Sequence, residues 1–517
     1  MSGSSKKIAG ILILLLLVLG GVGYFAVLPM LEKQVAEKVA AAIDALPGDL
    51  KADDIQVSLL GKKVTISSLR GNTTYIDGSD MYIDIARVVC SGPNVDAGKT
   101  PGVTPIAGEL YFTDLKVQMK TDVEGLEQAL QQDSQIREMR LTGLRGDVAA
   151  ISLAASGMAR DQKTQLGQMV DAMLSIHMDS LEGKGYINRT SSAFGPMVAS
   201  LDSFSYKDFS PLKSGPMEAK NFKLNAFNSD LLTIDLITSK AGQVPNIFNA
   251  MFTSEIDPEA GLREMIDVFS RDTLALDGIT VEKLSFKLMT EEPLTLAKGT
   301  INLRMNADKI VFQHSLDGLV IPAELYRKAS PEADQFARQY DNALDINASM
   351  DIEVHQKNGS GDIFVKNLQV TDKNLGSASV SAELLFKGRG DSLEDLMNEG
   401  ADLFLKSSRT ELEDLGFMQV FYAVQFASME RFNMLGDSLK TPADLRALKS
   451  RSALEEAAAA EDADQKRVLE GLAKLLAAPG KLVVSLNPTQ PVDMDTLAEG
   501  GNSKTQLNSS VEFTPAQ

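Results

Sequence analysis

The residues of this chain that could do chemistry are few and scattered. His177, His314 and His355 are the only histidines, and none has a second ligand type beside it at metal-binding spacing. Cys90 is the single cysteine, so neither a disulfide framework nor a Cys/His nucleophile can be assembled. No G-x-S-x-G elbow occurs. Gly98-Lys99-Thr100 resembles the end of a phosphate loop, but Gly92 stands one residue too far upstream, and Pro101 and Pro105 forbid the helix that must follow. Asp493, Asp495 and Glu499 offer carboxylates without the turn glycine of a calcium loop. The chain has 70 acidic residues, and none is marked as a catalytic pair by its context. The expectation is a protein that is not an enzyme and has no cofactor or metal; an uncharacterised hydrolase is the enzymatic alternative.

Composition narrows the classes further. The 517 residues are 44% hydrophobic and 23% charged, which is ample for a large core and unlike a disordered chain. Lys and Arg number 51 against 70 Asp and Glu, a net charge of −19. Nucleic acid is therefore not expected as a partner, because a phosphate-binding surface needs clustered cations.

From Ile8 to Leu31 no residue is charged, and the centre of the run is almost entirely Leu, Ile and Val. About 20 such residues, at roughly 1.5 Å each, cross a hydrocarbon core of about 30 Å. Lys6 and Lys7 precede the run, while the far flank is charge-balanced, so the N-terminus is expected in the cytoplasm. A cleavable signal peptide is the competing reading, with Gly20, Gly21 and Gly23 as the small residues near a cleavage point. Either way residues 32–517 are delivered across the membrane, which for a bacterial inner membrane means the periplasm. Leu31, Val35, Val39, Ala42, Ile43 and Leu46 then predict a short amphipathic helix over 30–46, ended by Pro47-Gly48.

Residues 50–390 alternate apolar and polar with period 2, the mark of antiparallel strands. One pattern returns seven times: apolar, x, apolar, x, x, Leu or Phe, beginning at Val64, Leu110, Met139, Phe204, Met217, Ile279 and Ile363. In a regular strand the sixth place falls on the wrong face, so keeping all three apolar residues together demands a β-bulge or tight kink. The residue before the final Leu or Phe is Ser68, Asp114, Gly143, Asp208, Asn221 or Asn367, all turn formers, and only Lys283 departs. Repeated bulges predict a curved sheet.

Helices are predicted over 122–132, 157–179, 258–271 with Asp257 as N-cap, and 322–340 broken around Pro331. The period then changes to 3.6, predicting helices at 392–405, 410–435, 442–460 with Thr441 as N-cap, and 464–478. The apolar face of Phe417, Val420, Phe421, Val424 and Met429 is expected against a sheet or another helix. Strands resume at 481–486 and 506–513 and are expected to return to the main sheet. The expected fold is α+β and β-rich: curved, bulged antiparallel sheets with interrupting helices and a C-terminal helical block, behind one N-terminal transmembrane helix. The expected division is a tail and anchor at 1–31, β-rich halves at 32–215 and 216–390, a helical block at 391–480, and returning strands at 481–517.

The anchor, the amphipathic helix, the opening Ile55-Gln56-Val57-Ser58-Leu59-Leu60 and Lys63-Val64-Thr65-Ile66-Ser67-Ser68-Leu69, and the later strands of the same pattern together resemble the AsmA-like family of bacterial envelope proteins, most clearly over 30–120. The resemblance implies a periplasmic curved sheet that shields apolar surface, with a role in envelope lipid homeostasis or phospholipid transfer; the helical block departs from it. Two functions are expected on this basis. One is an inner-membrane protein, anchored through residues 8–31, that binds or shields phospholipid along an apolar face, for which Phe112, Phe204, Phe222, Phe286 and Phe364 are the candidate lining. The other is an adaptor or scaffold for other envelope proteins, with the same residues in an ordinary core.

Overall fold

The alternating segments form long antiparallel strands. The computed structural model describes residues 30–44, 49–74, 80–94, 102–121, 130–155, 162–192, 195–226, 229–246, 265, 268, 273–287, 292–306, 308–328, 330–340, 342–357, 360–388, 401–431, 434, 439–498 and 507–516. The chain divides into two units, 1–252 and 253–517.

In the first unit the elements run α1 (Met30–Asp44), β1 (Asp54–Ser58), β2 (Lys63–Thr74), β3 (Asp80–Ser91), β4 (Thr104–Thr121), β5 (Leu130–Gly146), α2 (Val148–Ala155), α3 (Gln162–Leu174), β6 (Met178–Ser192), β7 (Gly195–Phe209), β8 (Lys213–Ser214), β9 (Met217–Ala226), β10 (Ser229–Ser239) and β11 (Ala241–Gln243). Each of β1 to β7 pairs antiparallel with the next. The ladder continues from β7 to β9 and on to β10, with β8 and β11 as a short side pair. One face of β2 to β5 packs beneath the helices. Val35, Val39 and Ile43 of α1, Ile151 of α2 and Ala172 of α3 close over Ile66, Leu69, Ile85, Leu110, Phe112 and Leu141, all buried.

In the second unit the order is β12 (Leu274–Phe286), β13 (Leu294–Met305), β14 (Lys309–Ile321), α4 (Ala323–Arg327), α5 (Pro331–Tyr340), β15 (Leu344–Lys357), β16 (Ser360–Asp372), β17 (Gly376–Gly388), β18 (Ala401–Asp414), α6 (Phe417–Arg431), α7 (Pro442–Ala459), α8 (Ala463–Ala477), β19 (Gly480–Leu486), β20 (Val492–Asp493), α9 (Met494–Ala498) and β21 (Ser510–Pro515). Strands β12 to β19 pair in sequence, β20 adds to β18, and β21 adds to β19. Three helices thus interrupt two neighbouring strands, β18 and β19. Helix α7 opens with a capping box, in which the Thr441 side chain accepts from Asp444 N while the Asp444 carboxylate accepts from Thr441 N, and Pro442 follows at the first position.

The recurring pattern resolves into left-handed residues. Ser68, Asp114, Asp208, Asn221 and Lys283 have φ of 51°, 50°, 48°, 55° and 51°, and Gly143 has 60°. Each drops out of the ladder while the register is kept: Ser67↔Arg87 is followed by Leu69↔Ile85, and Glu282↔Lys298 by Leu284↔Leu296. Lys283 therefore behaves like the turn formers, so the apolar spacing, not the residue type, dictates the kink. Asn367 is the exception: pairing passes from Asp351↔Asn367 to Ile352↔Val365, so Lys366 is the extra residue of a true β-bulge.

The kinks align across strands. Ser68 on β2 lies opposite Ala86, Ala86 opposite Asp114 on β4, and Asp114 opposite Arg137. Next in line come Gly185 on β6, at φ 65°, then Asp202, whose carboxylate accepts from Asn221 Nδ2 on β9 at 2.8 Å. Every second strand thus carries a left-handed residue at the same level, forming a crease. In the second unit Lys283 on β12, Ala297 and Gly318 on β14 (φ 60°) repeat the arrangement. Across the first crease the buried set shifts by one place in each strand: Ile66 then Leu69, Ile85 then Val88, Phe112 then Leu115, Ile136 then Met139.

Several helix expectations need correction. Residues 130–132 open β5 and 178–179 open β6, so of the helix expected over 157–179 the described residues show α3, and α2 is an additional helix that the spacing does not predict. Residues 401–405 and 410–414 belong to β18 instead of helices. The cause is a second bulge: Glu383↔Ser407 is followed by Leu384↔Leu405, leaving Lys406 extra, and the broken alternation mimics helical spacing. The expected helix at 258–271 lies outside the described residues except Met265 and Val268, as do residues 122–129 and 392–400. The expected membrane span also lies outside them up to its last two residues, which begin α1; no helix among the described residues is long and apolar enough to cross a membrane.

Relief of the strain at Lys283 tests the crease. Lys283→Gly is expected to stabilise the protein by about 1 kcal/mol and Asp114→Val to destabilise it by about 1–3 kcal/mol, read from calorimetric unfolding. Equal transitions for both variants and the parent would refute a strained left-handed row.

Candidate functional site

The strands of the second unit present two unlike faces. On one, paired residues are apolar strand after strand but for one histidine: Leu276, Leu303, Phe312, Ile352 and Val365 in one row, then Ile279, Ile301, His314, Met350, Leu368 and Val380 in the next. The opposite face is held by ion pairs. Glu353 is buried there and binds Lys309, Lys366 and His355, while Lys406 bridges Asp362 and Glu383, and Glu411 takes Lys481 at 2.6 Å and Arg409 at 2.8 Å. The Lys309 ammonium first, then Lys366 and His355, pull the Glu353 carboxyl down from 4.5 to about 2.

Where helices cross the apolar face they leave a cleft of about 420 Å³. Phe336 of α5, Ile346 of β15, Val370 of β16, Leu412 of β18, Phe417 of α6 and Leu475 of α8 line it. That volume falls within the range of about 300–1,000 Å³ typical of small-molecule sites. Two buried acids at its edge are fully occupied in shaping it. Asp372 accepts from Asp345 N at 2.8 Å, Asn374 N at 2.9 Å, Leu375 N at 3.1 Å and Tyr340 Oη at 3.4 Å, fixing the turn into β17. Asp414 accepts from Gly416 N and Met418 N at 3.1 Å and from Arg446 Nη2 at 2.9 Å, and so starts α6. Arg446 also donates to the carbonyls of Leu475 at 3.1 Å and Leu476 at 2.6 Å, which ties α7 to the end of α8. With both acids satisfied, what the cleft offers a ligand is almost purely apolar.

The apolar character continues beyond the cleft. Val370 is 47% exposed, Leu368 and Ile301 are each 38% exposed, and at the rim Leu415 and Phe417 are 50% and 43% exposed. Phe417 stacks on Phe421, also partly exposed, with centroids 5.9 Å apart. The buried side chain of α6 is Tyr422; of the expected apolar face, Phe417 lines the cleft with β16 and β18, and Val420, Val424 and Met429 are half-buried.

The five phenylalanines singled out from the sequence are not brought together. Phe112 is 1% exposed, deep in the first unit's core. Phe204 lies on the same face of that sheet, over Gly183, where any Cβ would collide with its ring, and Tyr206 packs edge-on against it. Phe222 pairs with the buried Ile234. In the second unit Phe286 pairs with Leu294 on the apolar face, whereas Phe364 pairs with Glu353 and Glu383 on the charged one, its ring 5.3 Å from His355. The cleft residues were missed because Ile346, Val370 and Leu412 are ordinary strand residues. The available signal was Phe417 to Met429, a helix of 13 successive uncharged residues.

His177 bridges to Arg145, His314 stacks on Phe312 and His355 binds Glu353, so the three histidines occupy separate places. Burial pushes the Cys90 thiol up to about 12, which removes thiolate chemistry near neutral pH. Among the described residues no three His, Cys, Asp or Glu side chains are placed to hold a metal. No protein-family profile and no curated protein matches the chain.

Two outcomes follow from these side chains. Glu353 holds fewer protons folded than unfolded, so its contribution to stability is full above about 4.5 and is lost as pH falls through about 2. Glu353→Gln should therefore lower the melting temperature at pH 7, with the gap to the parent closing by pH 2; a constant gap would refute the ionic role. Arg446→Met, which leaves the buried Asp414 without its counter-charge, should cost about 3–5 kcal/mol in calorimetric unfolding, partly restored by adding Asp414→Asn.

Proposed function

We propose that this chain is a non-enzymatic bacterial envelope protein, related to the AsmA-like proteins, that holds the acyl part of a phospholipid against the apolar face of the strands of its second unit. In this reading residues 8–31 fix it in the inner membrane with the N-terminus in the cytoplasm, and the creased sheets stand in the periplasm as curved, shielding surfaces. The observation that carries the proposal is the 420 Å³ cleft, whose polar edge groups are all consumed internally and whose apolar lining runs on into a half-exposed sheet face. An alkyl chain needs surface removed from water and asks for no hydrogen bonds, which is what Val370, Leu412 and Phe417 provide. The charge of −19 argues against adhesion to anionic headgroups, so lipid would be met through the enclosed apolar face.

A scaffold for another envelope protein is the second reading, favoured by the partly exposed Leu415, Phe417 and Phe421 at the rim. A photo-crosslinking amino acid at Leu412 of the full chain in living cells separates the two. Phospholipid-mass adducts at Leu412, absent when the probe replaces Lys309 on the charged face, are expected. Protein adducts without lipid would overturn lipid binding in favour of the scaffold.

A further inference from the structure

The first unit carries a groove of a different kind, with a volume of about 530 Å³, at one end of strands β2 to β7. Its base is a single cross-strand row: Asn72↔Tyr82, Tyr82↔Gln118, Gln118↔Asp133, Asp133↔Arg189 and Arg189↔Val198. Six strands at about 4.8 Å spacing set these side chains out over about 24 Å. Gln131, one row further along, adds another carboxamide, and Pro196 and Met197 add an apolar wall.

The chemistry of this lining is specific. A carboxamide presents a donor pair and an acceptor in one plane, which matches neighbouring hydroxyls on a ring. Tyr82 adds a flat apolar face with a hydroxyl at its tip. Among the described residues the side chains of Asn72, Tyr82, Gln118 and Gln131 take part in no hydrogen bond, the Asn72 bond to Asp49 being made by its backbone N–H. Charge is close to balanced: Arg189 faces Asp133 at 3.8 Å, and Lys120 is the one further cation in the lining. A phosphate or sulfate would need convergent cations, which this groove lacks. An acyl chain would strand the amides without partners.

We infer that this row is a saccharide-binding groove, and that its ligand is a neutral oligosaccharide laid across the strands with successive rings over successive side chains. Strand spacing is comparable with the width of a pyranose ring, so from Asn72 to Arg189 the ladder presents one polar contact per sugar unit, and Val198 ends it with an apolar one. The groove lies wholly in the first unit and uses none of the cleft residues, so its test is independent of lipid binding.

The test uses the full chain on an array of immobilised neutral oligosaccharides of glucose, mannose, galactose and N-acetylglucosamine, followed by calorimetric titration with whichever is retained. Gln118 is exposed, so Gln118→Ala leaves the fold intact. It should weaken binding at least about ten-fold, equivalent to about 1.4 kcal/mol. Tyr82→Ala should weaken it similarly, and Lys207→Ala, exposed and nine residues along β7 from Val198, should leave it unchanged. Failure to retain any member of the array, or binding by Gln118→Ala equal to that of the parent, would overturn the assignment.

Discussion

Everything in this molecule depends on how a strand keeps one face apolar for longer than alternation alone would allow. Side chains on a strand change face at every residue, so Ile66 and Leu69 would point to opposite sides of a regular β2. A single residue at positive φ between them turns the backbone and returns Leu69 to the core, where both are buried. The cost, about 1–2 kcal/mol for a residue other than glycine, is set against burial of a Leu side chain worth about 1.5–3 kcal/mol. Repetition on every second strand makes the turn a property of the sheet, because the intervening strands shift their buried set in step.

That continuity produces surfaces with two characters. In the first unit α1, α2 and α3 cover the apolar face and give a dense core around Phe112 and Leu110. In the second unit the equivalent face runs from Leu276 to Val365 while the reverse face is tied by Glu353, Lys366 and Lys406. Most of its apolar residues stay half-buried, and helices α5, α6 and α8 bound one cleft there. Asp372 and Asp414 hold the cleft's edge through backbone amides, so its shape is set by hydrogen bonds and its lining by hydrophobic side chains.

The crease was legible in the sequence because spacing alone demands it: three apolar residues at places one, three and six cannot share a face otherwise. Residue chemistry misled at two points. Lys283 looked out of place yet adopts φ 51°, while Asn367 looked suitable yet sits beside a bulge at Lys366. Tertiary pairing decided the remaining differences. A bulge at Lys406 disguised β18 as helix, and the alternation that puts Ile363 and Val365 on the apolar face necessarily turns Phe364 to the charged one. Local signals were reliable where the interaction itself is local, as in the Thr441 and Asp444 capping box. The groove in the first unit was invisible because Asn72 and Val198 meet only through five successive strand pairings.

The crease also bears on how such a fold is inherited. Ser, Asp, Asn, Lys and Gly all serve at its left-handed positions, and the apolar places accept Val, Leu, Ile, Met, Phe and Ala. The geometry therefore rests on a rhythm that many sequences can keep. Two descendants of one ancestor could exchange nearly every residue, preserve the beat of three apolar places to a crease, and retain the same sheet with little recognisable text in common.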